Sequence, residues 1–262
     1  MIDLHCHALP GIDDGPGEIA GAIELARVAA AAGTRTLVAT PHIDHSWFIQ
    51  PATLAGRVAE LESALAAAGV EIEVRTGGEI ALTRLMDLDE PELDELALGP
   101  GGHLLLEAPL TIGAGDFEAI VLSTHARGRP VVLAHPERCP ALLRRPERMP
   151  PLIDAGVLMQ VTAGSLAGQF GETIQRTALR WLSEGWVHVI ASDAHDAYRR
   201  PPDLLGPIAR GDRDLPGLLE LAPWLTESVP QAILDGTAIP EPPALPKPPV
   251  ERSWLGRLRP RA

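Results

Sequence analysis

Residues 187–195 read Val187-His188-Val189-Ile190-Ala191-Ser192-Asp193-Ala194-His195. A β-branched run here ends in an acid and an imidazole two positions apart, and side chains at i and i+2 of a strand share a face. Asp193 and His195 therefore form a two-pronged clip at the carboxyl end of one strand. Residues 1–7 repeat the device: His5 and His7 share a face, and Cys6 points the other way. Between these clips, His42 follows Ala-Thr-Pro, Glu79 follows Gly-Gly, Glu107 follows Leu-Leu-Leu and His135 follows Val-Leu-Ala. Strands are predicted at 2–6, 35–40, 71–79, 103–107, 131–134, 157–162 and 187–191, alternating with helices at 17–33, 51–68, 84–97, 116–128, 138–155 and 165–184. Gly33 and Gly69 stand where glycine ends a helix. Repeated β-then-α units specify an α/β fold on parallel strands, and seven of them favour a closed or nearly closed, TIM-like (β/α)7 barrel over an open sheet. Such barrels carry their sites at the carboxyl ends of the strands, where six of the seven predicted strands end in a metal-ligand side chain; only the sixth, ending near Thr162, does not.

Composition sets the limits of this reading. The chain has 262 residues, 45% of them hydrophobic but only 3% aromatic, so its core is built from Ala, Leu, Val and Ile. One domain over 1–235 accommodates them. A formal charge of −13 argues against nucleic acid as the main partner and invites cations. Residues 236–262 hold seven prolines and five basic against two acidic side chains, a composition that predicts an extended, disordered tail. No run of ~20 apolar residues crosses a bilayer and no secretory leader is recognisable, so a cytoplasmic protein without a transmembrane segment is expected. Cys6 and Cys139 are expected to be free thiols.

Carboxylates crowded at one rim would repel each other and resist ionisation unless cations sit among them. Imidazole and carboxylate without thiolate suit Mn, Fe, Zn or Co. Paired ions bridged by a carboxylate and a hydroxide are a common arrangement for phosphoryl hydrolysis, with Glu79 the candidate bridge. Arg138, in His-Pro-Glu-Arg, and Arg200, in Tyr-Arg-Arg-Pro-Pro, are placed to grip a phosphate, Arg199 being an alternative to Arg200. The loop Gly11-Ile-Asp-Asp-Gly-Pro offers two further carboxylates, as ion ligands or as turn formers. Cys139 and Arg145 satisfy the Cys-x5-Arg spacing of a cysteine phosphatase, but the intervening Pro-Ala-Leu-Leu-Arg lacks glycine to curl around a phosphate and reads as the start of a helix. Two other readings stand beside hydrolysis of a phosphoprotein. One is hydrolysis of a small phosphoester, in a pocket walled by Trp47, Phe48 and Tyr198; the other is a non-catalytic metal-binding scaffold.

His-Cys-His, Asp-Asp-Gly, Thr-Pro-His, Gly-Glu, Leu-Glu, Ala-His-Pro-Glu-Arg and Ala-Ser-Asp-Ala-His resemble, in order, the motifs of the polymerase and histidinol phosphatase (PHP) superfamily. Ile-Asp-Asp-Gly-Pro, Glu107 and Arg-Pro-Pro make the chain similar to its bacterial branch of tyrosine-protein phosphatases from capsule and exopolysaccharide operons. Many PHP phosphatases of small metabolites, such as histidinol phosphate, have His in place of Glu107. The resemblance runs from Met1 to about residue 235 and implies a distorted seven-stranded barrel and three divalent ions, commonly Mn2+. It also implies, as substrate, the phosphotyrosine tail of a cognate bacterial tyrosine kinase, attacked by a metal-bridging hydroxide. One ion would take His5, His7, Glu79 and Asp193; a second would share Glu79 and add Glu107 and His135; a third would take Asp14, His42 and His195. Arg138 and Arg200 would hold the phosphoryl group, in a site left at about +3. The loop from Ile43 to Gln50 and the proline-rich tail depart from the family pattern, and both bear on substrate recognition.

Overall fold

The computed structural model describes residues 1–111 and 115–244. Among these residues, nine short strands run parallel in two sheets. One has the order β1 (Ile2–Cys6), β2 (Thr36–Ala39), β4 (Glu73–Thr76); the other has β3 (His42–Ile43), β5 (Glu79–Ala81), β6 (Leu104–Glu107), β7 (Val131–Ala134), β8 (Leu158–Thr162), β9 (Val189–Ala191). Where a closed or nearly closed, distorted barrel of seven strands is expected, the described strands are parallel but fall into two sheets that do not close into one. The physical cause lies in two breaks. Pro41 has no N–H to donate to a ladder and separates β2 from β3, while Gly77-Gly78 separates β4 from β5. Both glycines are needed for close packing: a Cβ on Gly78 would lie 2.6 Å from Leu96 Cδ2, and one on Gly77 2.8 Å from Leu98 Cδ2.

At the breaks the chain steps from one sheet to the other, with the Gly77 N–H donating to Ala39 O at 3.0 Å and the Glu79 N–H to Pro41 O at 3.0 Å. On the far side β1 meets the end of β9 through short backbone bonds, His7 N–H to Ala194 O and Asp193 N–H to His5 O, each 2.8 Å. The carboxyl ends of β1, β3, β5, β6, β7 and β9 thus gather at one end of the molecule. The core is aliphatic, as the composition requires, with Trp181 as its largest fully buried side chain.

The helices are more broken than their periodicity predicts. The span expected as 84–97 is two helices, Leu82–Leu85 and Glu90–Leu96, because Asp89 starts a new one with a capping box. Asp89 accepts from the Glu92 N–H at 2.9 Å, and Glu92 from the Asp89 N–H at 3.0 Å. The span expected as 138–155 contains Pro140, Pro146, Pro150 and Pro151 and divides into short turns and the helices Pro140–Arg144 and Met149–Asp154. Gly168 and Gly171, both at positive φ, divide 165–184 into Ala163–Leu166 and Glu172–Ser183. After the last helix, Val229–Asp235, the chain stays on the body as far as Pro240, whose carbonyl accepts from Trp224 Nε1 at 3.0 Å. Most of the expected tail, 245–262, lies outside the described residues.

Candidate metal centre

Strand geometry aims the first two ligands. Within β1, Leu4 and Cys6 turn into the aliphatic core while His5 turns to the opposite face, joined by His7 just beyond the strand; both imidazoles are fully buried. Each is aimed by an acceptor behind it. Gln160 Oε1 takes the His5 Nδ1 proton at 2.9 Å, and Asp13 Oδ2 takes that of His7 at 2.8 Å. His195 repeats the arrangement, with Nδ1 3.0 Å from the carbonyl oxygen of Asp193. A carbonyl or carboxylate can only accept, so Nδ1 carries the proton in all three rings and Nε2 is left facing inward, as metal-ligating histidines require.

The inward-facing atoms converge. His5 Nε2 and His7 Nε2 are 3.3 Å apart; Glu79 Oε2 lies 3.4 and 3.5 Å from them and Asp193 Oδ1 3.6 and 3.5 Å. His42 reaches Glu79 Oε2 with Nδ1 at 3.0 Å and Asp14 Oδ1 with Nε2 at 3.4 Å. His135 Nε2 is 2.8 Å from Glu79 Oε1, and His195 Nε2 is 3.1 Å from Asp14 Oδ1. Glu107, at the end of β6, is half-buried beside Glu79. Among the described residues, three sets have ligand atoms mutually within 4.8 Å: His5, His7 and Asp193; His42, Glu79 and Glu107; and His7, Asp14, His42 and His195. All nine residues expected as ligands by resemblance stand together. The grouping differs in detail, since His42 faces both Glu79 and Asp14 and His7 belongs to two sets.

The donor set fits cations on the structure's own terms. Although His42 Nδ1 and Asp14 Oδ1 stand 3.0 and 3.1 Å from them, Glu79 Oε2 and His195 Nε2 are buried and make no hydrogen bond among the described residues, a costly state that an ion relieves. Without an ion, the carboxylates recruit protons instead. Burial pulls the His42 pKa down, but Asp14 and Glu79 overcome it and raise it to about 10. His7 is likewise raised, against burial, by Asp13, Asp193 and Glu79. Glu79 is held well below the usual carboxylate range despite its burial, chiefly by His5 and His135, whereas burial and the neighbouring Glu79 raise Glu107.

The arginines compete for one atom. Arg138 Nη1 donates to Asp193 Oδ2 at 2.7 Å, and Arg200 Nη2 forms an ion pair with the same oxygen at 2.6 Å. Arg199 is exposed, and its carbonyl accepts from Gln169 Nε2 at 3.1 Å. Arg138 and Arg200 line a cavity of about 170 Å3 with Asp14, His42, Glu79, Glu107, His135, Asp193 and His195. His135 and Asp193 are the two non-glycine residues at positive φ among the described residues, 35° and 52°, a left-handed conformation sustained by these contacts.

Several supporting residues escaped the sequence reading. Glu137, fully buried between His135 and Arg138, accepts from the Thr162 N–H at 3.0 Å and Ser165 Oγ at 2.6 Å, tying the Arg138 turn to the end of β8. Phe170 lies under the Arg138 guanidinium, 4.4 Å from ring centre to Cζ. Asp3 accepts from the Ser192 N–H at 2.9 Å, and burial lifts its pKa to about 6. Asp3 and Gln160 carry one usable signal, a polar residue inside an otherwise apolar strand; Phe170 carries none. The cysteine alternative fails on geometry, because Cys139 is buried, burial raises its thiol pKa, and a helix follows it directly. Of the expected pocket walls, Phe48 and Tyr198 project into solvent and Trp47 is at the margin of exposure.

Comparison with known proteins agrees with this geometry. Residues 1–213 match the family model for capsular polysaccharide synthesis, CpsB/CapC. The tyrosine-protein phosphatase YwqE of Bacillus subtilis is 33% identical over 201 residues, 76% of this chain and 79% of that protein. The tyrosine-protein phosphatase CpsB of Streptococcus pneumoniae is 28% identical over 209 residues, 77% and 86% of the two chains. A crystal structure from work on YwqE and CpsB, described as unique metal-dependent tyrosine phosphatases, superposes with a TM-score of 0.80 at 29% identity, covering 95% of this chain and 99% of the other. With a family model spanning most of its length and close relatives sharing its fold, this chain belongs to the CpsB/CapC family.

Proposed function

We propose that the protein is a metal-dependent protein-tyrosine phosphatase of capsule or exopolysaccharide synthesis, acting on the phosphotyrosine tail of a cognate bacterial tyrosine kinase. One observation carries this reading: five imidazoles and four carboxylates converge in one cluster, seven of these nine residues lining a small cavity, and two guanidiniums close its edge. The relatives' designations support tyrosine as the phosphorylated residue and capsule synthesis as the setting. We also assign the PHP architecture, with β2 and β3 as one broken stave and β4 and β5 as another, so that seven staves surround the core; the backbone bonds across both breaks and between β1 and β9 support this count. The catalytic domain is taken as 1–235, followed by the proline-rich tail. No helix among the described residues is long and apolar enough to cross a membrane, and a cytoplasmic location suits an enzyme that meets a kinase tail there.

Three ions, Mn2+ by preference over Fe, Zn or Co, would be held by His5, His7, Glu79 and Asp193, by Glu79, Glu107 and His135, and by Asp14, His42 and His195. Bound there, divalent ions supply an acidified water as nucleophile and balance charge on the attacking and leaving oxygens. The protein's own contribution is placement. Asp13, Gln160 and the Asp193 carbonyl fix three imidazole tautomers before substrate arrives. Arg138 and Arg200, which share Asp193 Oδ2 and retain unused N–H donors, grip the phosphoryl oxygens and orient phosphorus toward the carboxylate cluster. The cavity, about 170 Å3, has the ions as well as the phosphoryl group to accommodate, so the peptide lies outside it.

The test is hydrolysis of phosphotyrosyl, phosphoseryl and histidinol phosphates by chelator-treated protein with and without added Mn2+. Mn2+-dependent turnover of the phosphotyrosyl peptide well above the other two is expected. Preference for histidinol phosphate would move the protein to the small-ester reading, and turnover indifferent to chelation would remove the metal mechanism.

A further inference from the structure

The phosphoryl cavity adjoins a much larger groove that the reaction as described does not use. The groove has a volume of about 810 Å3 and shares Glu107 and Leu110 with the 170 Å3 cavity, so it lies directly beside the place where a phosphate would sit. Leu82, Leu110, Phe117 and Ile120 provide its apolar walls, and Glu107 and Asp116 are the charged groups lining it among the described residues. Its outer wall is braced: the Arg148 guanidinium donates to Gly115 O at 3.3 Å, pairs with Glu118 and lies 5.6 Å from the Phe117 ring centre. Leu110 and Ile120 are 42% and 36% exposed, available to a ligand without unfolding anything.

We infer that this groove binds the polypeptide flanking the phosphotyrosine, and that it selects apolar or basic neighbours and rejects acidic ones. This rests on the phosphatase reading above. The occupant follows from volume and charge. A phosphotyrosine ring fills a small part of the space, leaving room for side chains on one side of it, and with Glu107 taken up by an ion, Asp116 is the lining carboxylate left to favour neutral or positive neighbours over negative ones. Specificity is thus placed beside the ions rather than on them.

The experiment compares wild type, Ile120→Glu and Ile120→Lys, all Mn2+-loaded, on p-nitrophenyl phosphate and on two phosphotyrosyl peptides that differ only in flanking Leu or flanking Glu residues. Ile120 is on the outer surface of its helix, so both variants are expected to fold, with melting curves as the check. Wild type should prefer the Leu-flanked peptide by about tenfold in kcat/KM, consistent with burying one aliphatic side chain. Ile120→Glu should lose about tenfold on that peptide through KM, and Ile120→Lys should raise turnover of the Glu-flanked one, with p-nitrophenyl phosphate unchanged throughout. Equal wild-type use of both peptides, or variants that shift p-nitrophenyl phosphate as much as the peptides, would overturn the assignment. Failure of wild type on every phosphate ester would instead strike the phosphatase reading itself.

Discussion

Replacing Arg200 and Arg199 one at a time separates two adjacent, chemically identical side chains that the fold treats differently. Arg200 Nη2 is 2.6 Å from Asp193 Oδ2 inside the cavity that holds the histidines, while the Arg199 side chain is exposed. One or two charge-assisted hydrogen bonds to a phosphoryl group are worth about 2–4 kcal/mol, which is about 30- to 900-fold in kcat/KM. Arg200→Ala should lose that much on p-nitrophenyl phosphate and on a phosphotyrosyl peptide, measured with saturating Mn2+. Arg199→Ala should stay within about twofold. The fold should survive in both, because Arg138 remains on Asp193 Oδ2 at 2.7 Å when Arg200 is gone. Arg200→Lys should recover only part of the loss, since an ammonium cannot match two phosphoryl oxygens at once. Equal losses in the Arg199 and Arg200 variants, with unchanged melting curves, would refute the placement of the phosphate.

Chelation should lower the melting temperature by about 5–10 °C, because ligand present at about a hundredfold over its dissociation constant stabilises by about 2.7 kcal/mol; calorimetry with and without Mn2+ reads this. Asp13→Asn should weaken metal binding about 10- to 100-fold by releasing the His7 ring from its 2.8 Å bond, visible in Mn2+ titration of activity and in metal content after dialysis. Cys139→Ser should retain full turnover, since the thiol is buried away from the cavity; loss of activity with an intact fold would revive the cysteine mechanism. Burial lowers the His188 pKa from 6.5 to about 4, and its unprotonated Nδ1 accepts the Met159 N–H at 3.1 Å. The unfolded chain therefore takes up that proton first: the contribution is complete above pH 6.5 and is lost as pH falls toward 4, by roughly 3 kcal/mol at most. His188→Gln should flatten the acid limb of the stability curve by that amount in denaturant titrations, and an unchanged acid limb would count against it.

The parts of the site that were legible from residues 1–195 follow a rule of local geometry. Period-two alternation put His5 opposite Cys6, and the ends of apolar runs marked His42, Glu79, Glu107, His135 and Asp193. The breaks at Pro41 and Gly77-Gly78 were visible as residues but not as breaks. Whether a proline or a glycine pair ends a strand or sits within it depends on what packs there, in this case Leu96 and Leu98 from a distant segment. The start of the second helical half at Glu90 is carried by its Asp-x-x-Glu cap, a local signal that apolar periodicity over 84–97 does not contain.

By itself the sequence determined the α/β class, the aliphatic core and which residues could ligate a cation, since these depend on residue type and short-range periodicity. Only the tertiary structure decided that Arg200 rather than Arg199 faces the cavity, that Asp13 and Gln160 aim the imidazoles, that Phe170 supports Arg138, and that an apolar groove adjoins the cluster. Those relations join residues as far as 155 positions apart, His5 and Gln160 among them. They arise from packing between separate chain segments, where no local pattern of residues carries the information.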